Sequence, residues 1–410
     1  MCLSDITSSR SVKTRGRLSP ARRSVLKLLT HLQAGSLTLH EPDGRVQQFG
    51  DPHSTLQAEV IVQHPRAWRR LLTGGSIGAA ESYMDGDWSS PDLTQVIVLL
   101  ARNLPLLDRL EARLSWLTRP LNAVIHALRR NSVRQAKKNI AAHYDLGNDF
   151  YRSFLDEALL YSSAWYADPD MTLEAAQQAK MRRLCEQLAL TPDDHLLEIG
   201  TGWGAMAEFA AREYGCRVTT TTISQQQFLY SQQRIADAGL SDRVTVLCED
   251  YRHLTGVYDK LVSIEMIEAV GKAYIPAFLS RCQTLLKPGG RMAIQAITIS
   301  DDRYESYARG VDFIQRYIFP GGFLPSPRLL DETLAAHTDF SPVDHFEIGP
   351  DYARTLNVWQ RRFEQAWPQL RQMGFDERFR RMWCFYLSYC EGGFIARTIG
   401  TLQLTAQRPQ

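Results

Sequence analysis

The pattern of apolar and polar positions changes character three times along the 410 residues. Across residues 35–89, short alternating runs such as GSLTLHEPDG and AEVIVQHP sit between Gly, Pro and Asp, which predicts brief strands and turns in a small α+β unit. From Leu104 to Lys138 the spacing becomes helical. Leu106, Leu107, Leu110, Leu114 and Leu117 form one stripe, Arg102, Arg109, Arg113, Arg119, Arg129, Arg130, Arg134, Lys137 and Lys138 make the remainder basic, and Pro120 marks a break. From Asp193 strand and helix alternate. HLLEIG predicts a first strand, AMAEFAAREYG a helix closed by Gly215, CRVTTTTI a second strand and QQQFLYSQQRIADAG a further helix, while VTVLCED, YDKLVSIEMI and RMAIQAIT predict the third to fifth strands. This is the rhythm of the α/β class: a Rossmann-like parallel sheet wound by right-handed crossovers, with ligands gathered at the carboxyl ends of its strands.

Single cores rarely grow beyond about 250–300 residues, so one catalytic domain with an accessory segment is expected. The pattern divides the chain into a basic, disordered tail (1–30), a small N-terminal α+β domain (31–103), a basic helical linker (104–138) and a Rossmann-like domain (139–410).

Composition adds exclusions. With 44% hydrophobic and 22% charged residues and a net charge of +2, the chain reads as an ordinary soluble protein. No run approaches the roughly 18 to 20 apolar residues of a membrane span. The N-terminus has neither the apolar core nor the cleavage site of a signal peptide, so a cytoplasmic location is expected. The seven cysteines form no CxxC pair and no Cys/His cluster with zinc spacing, so no metal is expected. Charge is uneven, with seven Lys or Arg against the single acid Asp5 before residue 28. That stretch is either a solvated arm or an attraction to an anionic membrane surface, and the basic helices are either a packed linker or a segment lying on a bilayer.

The glycine turn after the first strand, Leu196 to Gly204 (LLEIGTGWG), carries the chemistry. Gly200, Gly202 and Ala205 also satisfy the dinucleotide form GxGxxG/A, but that form wants an acid about 20 positions on, where this chain has Thr219 to Thr222. Glu198 before the first glycine, Trp203 inside the turn and LLKPGG (285–290) ahead of the fifth strand favour S-adenosylmethionine (SAM) over NAD. Gly200, Gly202 and Gly204 would let backbone approach the methionine part of that cofactor. Thr222 and Gln227 would offer neutral hydrogen bonds near its ribose, and Tyr251 either covers the adenine or packs in the core.

Several segments together resemble the cyclopropane-fatty-acyl-phospholipid synthase family, which includes the mycolic acid cyclopropane synthases. They are HYDLGNDFYRSFLDEALLYSSAWY (143–166), SIEMIEAVG (263–271), QAIT (295–298), RYIFPGGFLPS (316–326), DYARTLNVW (351–359) and CFYLSYCEGGF (384–394). The resemblance runs from about residue 35 to the C-terminus. It implies transfer of the SAM methyl to a cis double bond of a lipid acyl chain, then loss of a proton from the resulting carbocation to a bound bicarbonate and closure of a cyclopropane ring. An alkene is a feeble nucleophile, so such a site must be dry and tolerate a cation. Aromatic faces do so with an attraction of up to about 2 kcal/mol.

Carried over residue by residue, the resemblance makes Tyr144 and Phe319 the aromatic residues of the reaction chamber. Tyr161 and Ser162, residues 196 to 204, Thr222, Ile223 and Gln227, and Tyr251 with Arg252 become SAM contacts. Glu268, Tyr352 and the backbone of Ile297 fall on the bicarbonate set. Three positions depart: the family's cysteine there is Ser163, its Glu-His pair reads Glu268-Ala269, and its second histidine is Gln295, which can hydrogen-bond an anion but cannot shuttle a proton. The base is then bicarbonate held differently, or Glu268. Glu265, one helical turn earlier, either faces the same site or pairs locally. Ser163 and Gln295 also resemble a branch in which the cation relaxes to a methylene, completed to a methyl branch by a separate reductase. Cys390 matches a cysteine once taken as catalytic, though this chemistry needs no thiolate and a small buried residue beside the acyl channel is expected. Residues 340–400 are expected to wall that channel.

The implied partners are an unsaturated phospholipid, an anionic membrane at whose inner face the enzyme sits peripherally, and a second copy of the chain. Two rivals remain: a non-catalytic SAM- or lipid-binding protein, and a methyltransferase for small molecules or nucleic acid. The basic N-terminus lacks the interleaved aromatic platforms that base stacking uses, so no nucleic acid is expected.

Overall fold

A computed structural model describes residues 19–104 and 146–410. Tyr144 and, past Leu104, the basic helical linker expected over 104–138 lie outside the described residues.

In the N-terminal unit, helix α1 (Pro20–Leu29) opens at the Ser19 cap, whose side chain accepts from the Arg22 amide, with Pro20 at the first position. The expected tail over 1–30 is therefore corrected at its C-terminal part. Residues 20–29 are ordered by an amphipathic pattern that buries Val25, and Arg22 is held in a buried ion pair with Glu41. Strands β1 (Ser36–His40), β2 (Val46–Gly50), β3 (Gln57–Val62) and β4 (Trp88–Ser89) form a sheet in the order β2-β1-β3-β4. Helix α2 (Arg66–Met84) is broken at Gly75 (φ 53°, ψ −137°), and α3 (Leu93–Arg102) starts at the Asp92 cap.

The catalytic domain follows the expected alternation. After α4 (Asn148–Arg152) and α5 (Leu173–Gln187) come β5 (His195–Ile199), α6 (Ala205–Tyr214), β6 (Arg217–Thr221), α7 (Gln225–Asp237), β7 (Val244–Leu247), β8 (Tyr258–Ile264), α8 (Ile275–Leu285) and β9 (Leu286–Ile299). Then follow α9 (Asp301–Tyr307), one π-helical turn (Ile314–Ile318), α10 (Pro327–His337), β10 (Ser341–Glu347), α11 (Gly349–Gln372), α12 (Glu377–Ile395) and β11 (Ile399–Gln407). The sheet order is β10-β11-β9-β8-β5-β6-β7, parallel from β9 to β7, with β11 and β10 antiparallel at one edge. The strand order reverses beside β5, which opens a crevice at the carboxyl ends of β5 and β8.

The two units share one core, since α3 lies directly on α12. A Cβ at Gly392 of α12 would come within 2.6 Å of Ile97 of α3, so glycine is required by the close approach. Thr94 donates to the buried Glu391 across the same contact at 2.9 Å. Among the described residues no helix is long and apolar enough to cross a membrane.

Candidate active site

One large cavity, about 670 Å³, opens at the switch point. Its floor is the glycine turn. Gly200, Gly202 and Gly204 all have positive φ (104°, 53° and 85°), which lets the chain fold back from β5 into α6. A Cβ at Gly202 would meet no protein atom within 4 Å, and Gly202 lines the cavity, so the turn leaves space for a ligand against bare backbone. Trp203 donates its indole N–H to Asn148 of α4 at 2.9 Å and packs on Tyr151 at 5.0 Å between centroids, so the aromatic segment upstream anchors the turn.

Around this floor Glu198, Thr222, Ile223, Gln227, Tyr251 and Arg252, the residues expected to contact the cofactor, all line the cavity. Thr222 donates to Gln227 at 2.8 Å, a neutral pair at the end of β6. Glu198 accepts from Thr220 at 2.6 Å, and burial pushes its carboxyl up to about 8. Leu196 is corrected: it is fully buried in the core between sheet and helices and does not face the cavity. Gly204 caps α6 without lining the cavity. Glu249 and Asp250, which follow β7 and also line the cavity, were missed; the acids of the CED run after the third strand were the available signal.

Beyond the turn lies an aromatic chamber. Tyr161 shares a 2.9 Å hydrogen bond with the Tyr386 hydroxyl and approaches Phe319 at 6.2 Å, while Tyr352 stacks on Phe394 at 4.6 Å. Phe319 is placed by the π-helical turn, a local irregularity that often marks functional positions. Tyr161, Ser162, Ile297, Phe319, Tyr352 and Cys390 all line the cavity. Burial pushes the Cys390 thiol far above its ordinary value, so it stays neutral.

Two glutamates stand in this chamber. The spacing predicts Glu265 one helical turn before Glu268, but the two share no helix. Glu265 is the residue just past β8, at φ 48°, a conformation that costs a non-glycine residue roughly 1–3 kcal/mol and persists only where surrounding contacts impose it. Those contacts are visible. Its Oε1 accepts from the Ser163 amide and from the Gln295 side chain, each at 2.8 Å, and its Oε2 accepts from the Tyr352 hydroxyl at 2.7 Å. Its own amide donates to the Gln295 carbonyl at 2.7 Å. Glu268 accepts from the Ile297 amide through Oε1, while its buried Oε2 has no hydrogen-bond partner among the described residues. Burial, with the nearby Glu265, pushes the Glu268 carboxyl up to about 8.

Ser163 and Gln295 are thus corrected in their manner of action. Neither lines the cavity; the Ser163 hydroxyl donates to the Ala164 carbonyl, and it is the Ser163 amide and the Gln295 amide group that serve the chamber, through Glu265. Lys180 of α5 was missed. It is fully buried and donates to Ser162 Oγ at 2.7 Å; burial pulls it down to about 8 against the raising influence of Glu265 and Asp156. Its signal was a lysine at the i+4 spacing of Ala176 and Leu184, on the apolar face of a helix.

The far wall belongs to the N-terminal unit as much as to residues 340–400. Val25, Leu28 and Leu29 of α1, Leu71 of α2, and Ile97 and Leu100 of α3 line the cavity together with Leu356, Phe385 and Tyr389. Among the described residues no cluster of three or more His, Cys, Asp or Glu is arranged to hold a metal ion.

A glycine turn at the head of a seven-stranded sheet, opening on a buried acidic and aromatic chamber, defines a SAM-dependent methyltransferase of the Rossmann-like class. The chain belongs to the mycolic acid cyclopropane synthetase family, whose model matches residues 131–404. It is 40% identical over 398 residues, 95% of this chain and 91% of the relative, to the tuberculostearic acid methyltransferase of Mycobacterium tuberculosis. It is 37% identical to the cyclopropane-fatty-acyl-phospholipid synthase of Escherichia coli, over 86% of this chain and 88% of the relative. A mycolic acid cyclopropane synthase solved in complex with SAH and CTAB superposes with a TM-score of 0.63 at 33% identity, covering 66% of this chain and 98% of that one. SAM is therefore the cofactor, and the fit of the turn to it is the one described above.

Proposed function

We propose that this enzyme methylates the cis double bond of an unsaturated fatty acyl chain carried by a phospholipid. The observation that carries the reading is the continuity of the cavity, from the glycine turn through the chamber of Tyr161, Phe319 and Tyr352 to the aliphatic wall of α1, α2 and α3. A chain leaving a bilayer forfeits about 0.8 kcal/mol for each methylene that meets water. Only a channel with apolar walls can receive it without that loss, and Val25, Leu28, Leu71 and Ile97 provide one.

When bound, SAM supplies the methyl group as an electrophile. The chain's own residues do the rest. The apolar wall and the packed aromatics exclude water from the alkene. The ring faces of Phe319 and Tyr161 attract the carbocation left on the acyl chain without themselves being good nucleophiles. The buried Glu265 carboxylate supplies the negative charge against which that cation forms, in a dry site where electrostatic effects are strong.

For the product, a cyclopropane ring is one outcome, and a methylene that a separate reductase completes to a methyl branch is the other. The second is favoured by Ser163 and Gln295 and by the 40% identity to a tuberculostearic acid methyltransferase. Access to the substrate implies a peripheral position on the inner, anionic face of the cell membrane, with the basic segments as the attachment, and a homodimer is compatible with it.

The test is expression in a host whose phospholipids carry monounsaturated chains, followed by mass spectrometry of the fatty methyl esters. A gain of one methylene with a saturated ring indicates cyclopropanation. The same gain with an exocyclic double bond indicates the methylene branch, and no gain refutes both.

A further inference from the structure

The hydrogen bonds in the chamber leave no place for the external anion that the family resemblance implies. The groups that would hold bicarbonate are Glu268, Tyr352, the Ile297 amide and the positions of Ser163 and Gln295. Three of their donors, Ser163 N, Gln295 Nε2 and Tyr352 OH, end on the carboxylate of Glu265 at 2.8, 2.8 and 2.7 Å. The fourth, Ile297 N, ends on Glu268. A carboxylate and a bicarbonate present the same planar pair of oxygens to such donors. Bicarbonate therefore does not fit beside Glu265, because every donor it would use is taken.

We propose that the Glu265 carboxylate is a resident replacement for bicarbonate and is itself the base that removes the proton after methyl transfer. The inference rests on the methyl-transfer reading above. The backbone supports it independently: Glu265 holds a left-handed conformation at φ 48°, which swings its side chain off the end of β8 into the donor cluster. Burial raises the Glu265 carboxyl, while the hydrogen bonds from Ser163, Gln295 and Tyr352 and then the charge of buried Lys180 oppose that and favour its ionised form. Glu268, with one oxygen unpartnered and Glu265 close by, is the member of the pair that carries a proton at rest.

The step balances without another reactant. The alkene π pair forms the new carbon–carbon bond while the carbon–sulfur bond breaks with its pair remaining on sulfur. The cationic acyl chain then gives a proton from the added methyl to Glu265. The released C–H pair closes the ring or, after a hydride shift, becomes the exocyclic double bond. Glu265 ends as a neutral acid and returns its proton to water after product release.

The experiment measures methyl-adduct formation on vesicles of monounsaturated phosphatidylglycerol with purified enzyme and SAM, in buffer stripped of carbon dioxide and again with added bicarbonate. Wild-type rates are expected to agree within about twofold. Glu265→Gln should lose roughly a hundredfold or more, the usual scale for a general base, with no rescue by bicarbonate because the amide still fills the site. Glu265→Gly empties the site, and added bicarbonate should restore at least tenfold of the lost rate. SAM titration of both variants, expected within threefold of wild type, shows that they are folded. A wild-type rate that collapses without bicarbonate overturns the inference, as does Glu265→Gln activity within threefold of wild type. Absence of any adduct from wild type under both conditions overturns the function itself, a distinct result.

Discussion

The two ends of the cavity are built by different rules. At the cofactor end, the floor of the site comes from one short stretch, Gly200 to Trp203, and acts through backbone freed by glycine. At the acceptor end, Ser163, Glu265, Gln295 and Tyr352 converge from loop, strand end, strand and helix, with 102 positions between Ser163 and Glu265 and 87 between Glu265 and Tyr352. On the proposed function, the first end fixes what is bound and the second what becomes of it. Substitutions should separate along this line: cofactor-end variants lose SAM affinity, and acceptor-end variants lose rate or change product while still binding SAM.

The largest effect is expected at Gly202. A valine there must adopt φ 53°, which a β-branched residue resists, and its side chain projects where no protein atom lies within 4 Å. Gly202→Val should weaken SAM binding by roughly a hundredfold, about 3 kcal/mol of strain and lost contact, without unfolding the protein. Isothermal titration measures it. A SAM affinity within threefold of wild type would break the assignment of this turn.

Next in size is Tyr352→Phe. It deletes the 2.7 Å hydrogen bond to Glu265 and leaves the stacking on Phe394 in place. Hydrogen bonds to a charged group contribute about 1.5–3 kcal/mol, so kcat should fall roughly ten- to a hundredfold with SAM affinity unchanged within twofold. Parallel loss of SAM affinity would show that the two ends are not separable.

A smaller effect concerns stability and pH. The Glu268 carboxyl rises from its ordinary 4.5 to about 8 in the folded protein, so the folded state holds this proton more tightly than the unfolded state does. Stability from this group is fully present below about 4.5 and declines as pH rises through about 8. Glu198, also pushed up to about 8, acts in the same sense. Glu268→Gln should therefore flatten the fall of Tm between pH 5 and 8, by a few degrees for each kcal/mol relieved. A variant whose Tm falls as steeply as wild type would mean that Glu268 is ionised throughout.

The contrast between the two ends also decides what the amino-acid text discloses. The Rossmann-like sheet and its glycine turn are legible because hydrophobic alternation and glycine spacing are local. That Thr222, Gln227 and Tyr251 line the cavity follows from their short distance along the chain from the strand ends. Glu265 is ambiguous in the sequence, since helical spacing from Glu268 suggests a shared face, while its actual position depends on one positive φ that no periodicity announces. Ser163 is legible as a position but not as a mechanism, because its backbone rather than its hydroxyl makes the contact. Lys180 was written over by the helix pattern around it. Helix α1 was obscured by its basic composition: Arg22 reads as part of a charged tail until Glu41 is brought beside it by the β1–β2 hairpin.

The smallest expected effect belongs to Cys390, and it sharpens the comparison by being small. The residue lines the acceptor end, close enough for its charge state to bear on Tyr352 and Tyr386, so position alone would nominate it. Its chemistry argues otherwise: burial holds the thiol neutral, and a neutral thiol is neither a nucleophile nor a base of useful strength. Cys390→Ala should keep activity within about threefold and leave the ratio of products as in wild type, with a stability loss of about 1 kcal/mol for the shortened side chain. Thiol alkylation of the native enzyme should be slow for the same reason, and SAM should slow it further by filling the cavity. A hundredfold loss in Cys390→Ala with intact SAM binding would move the base from Glu265 to this thiol, since no other titratable change accompanies the substitution.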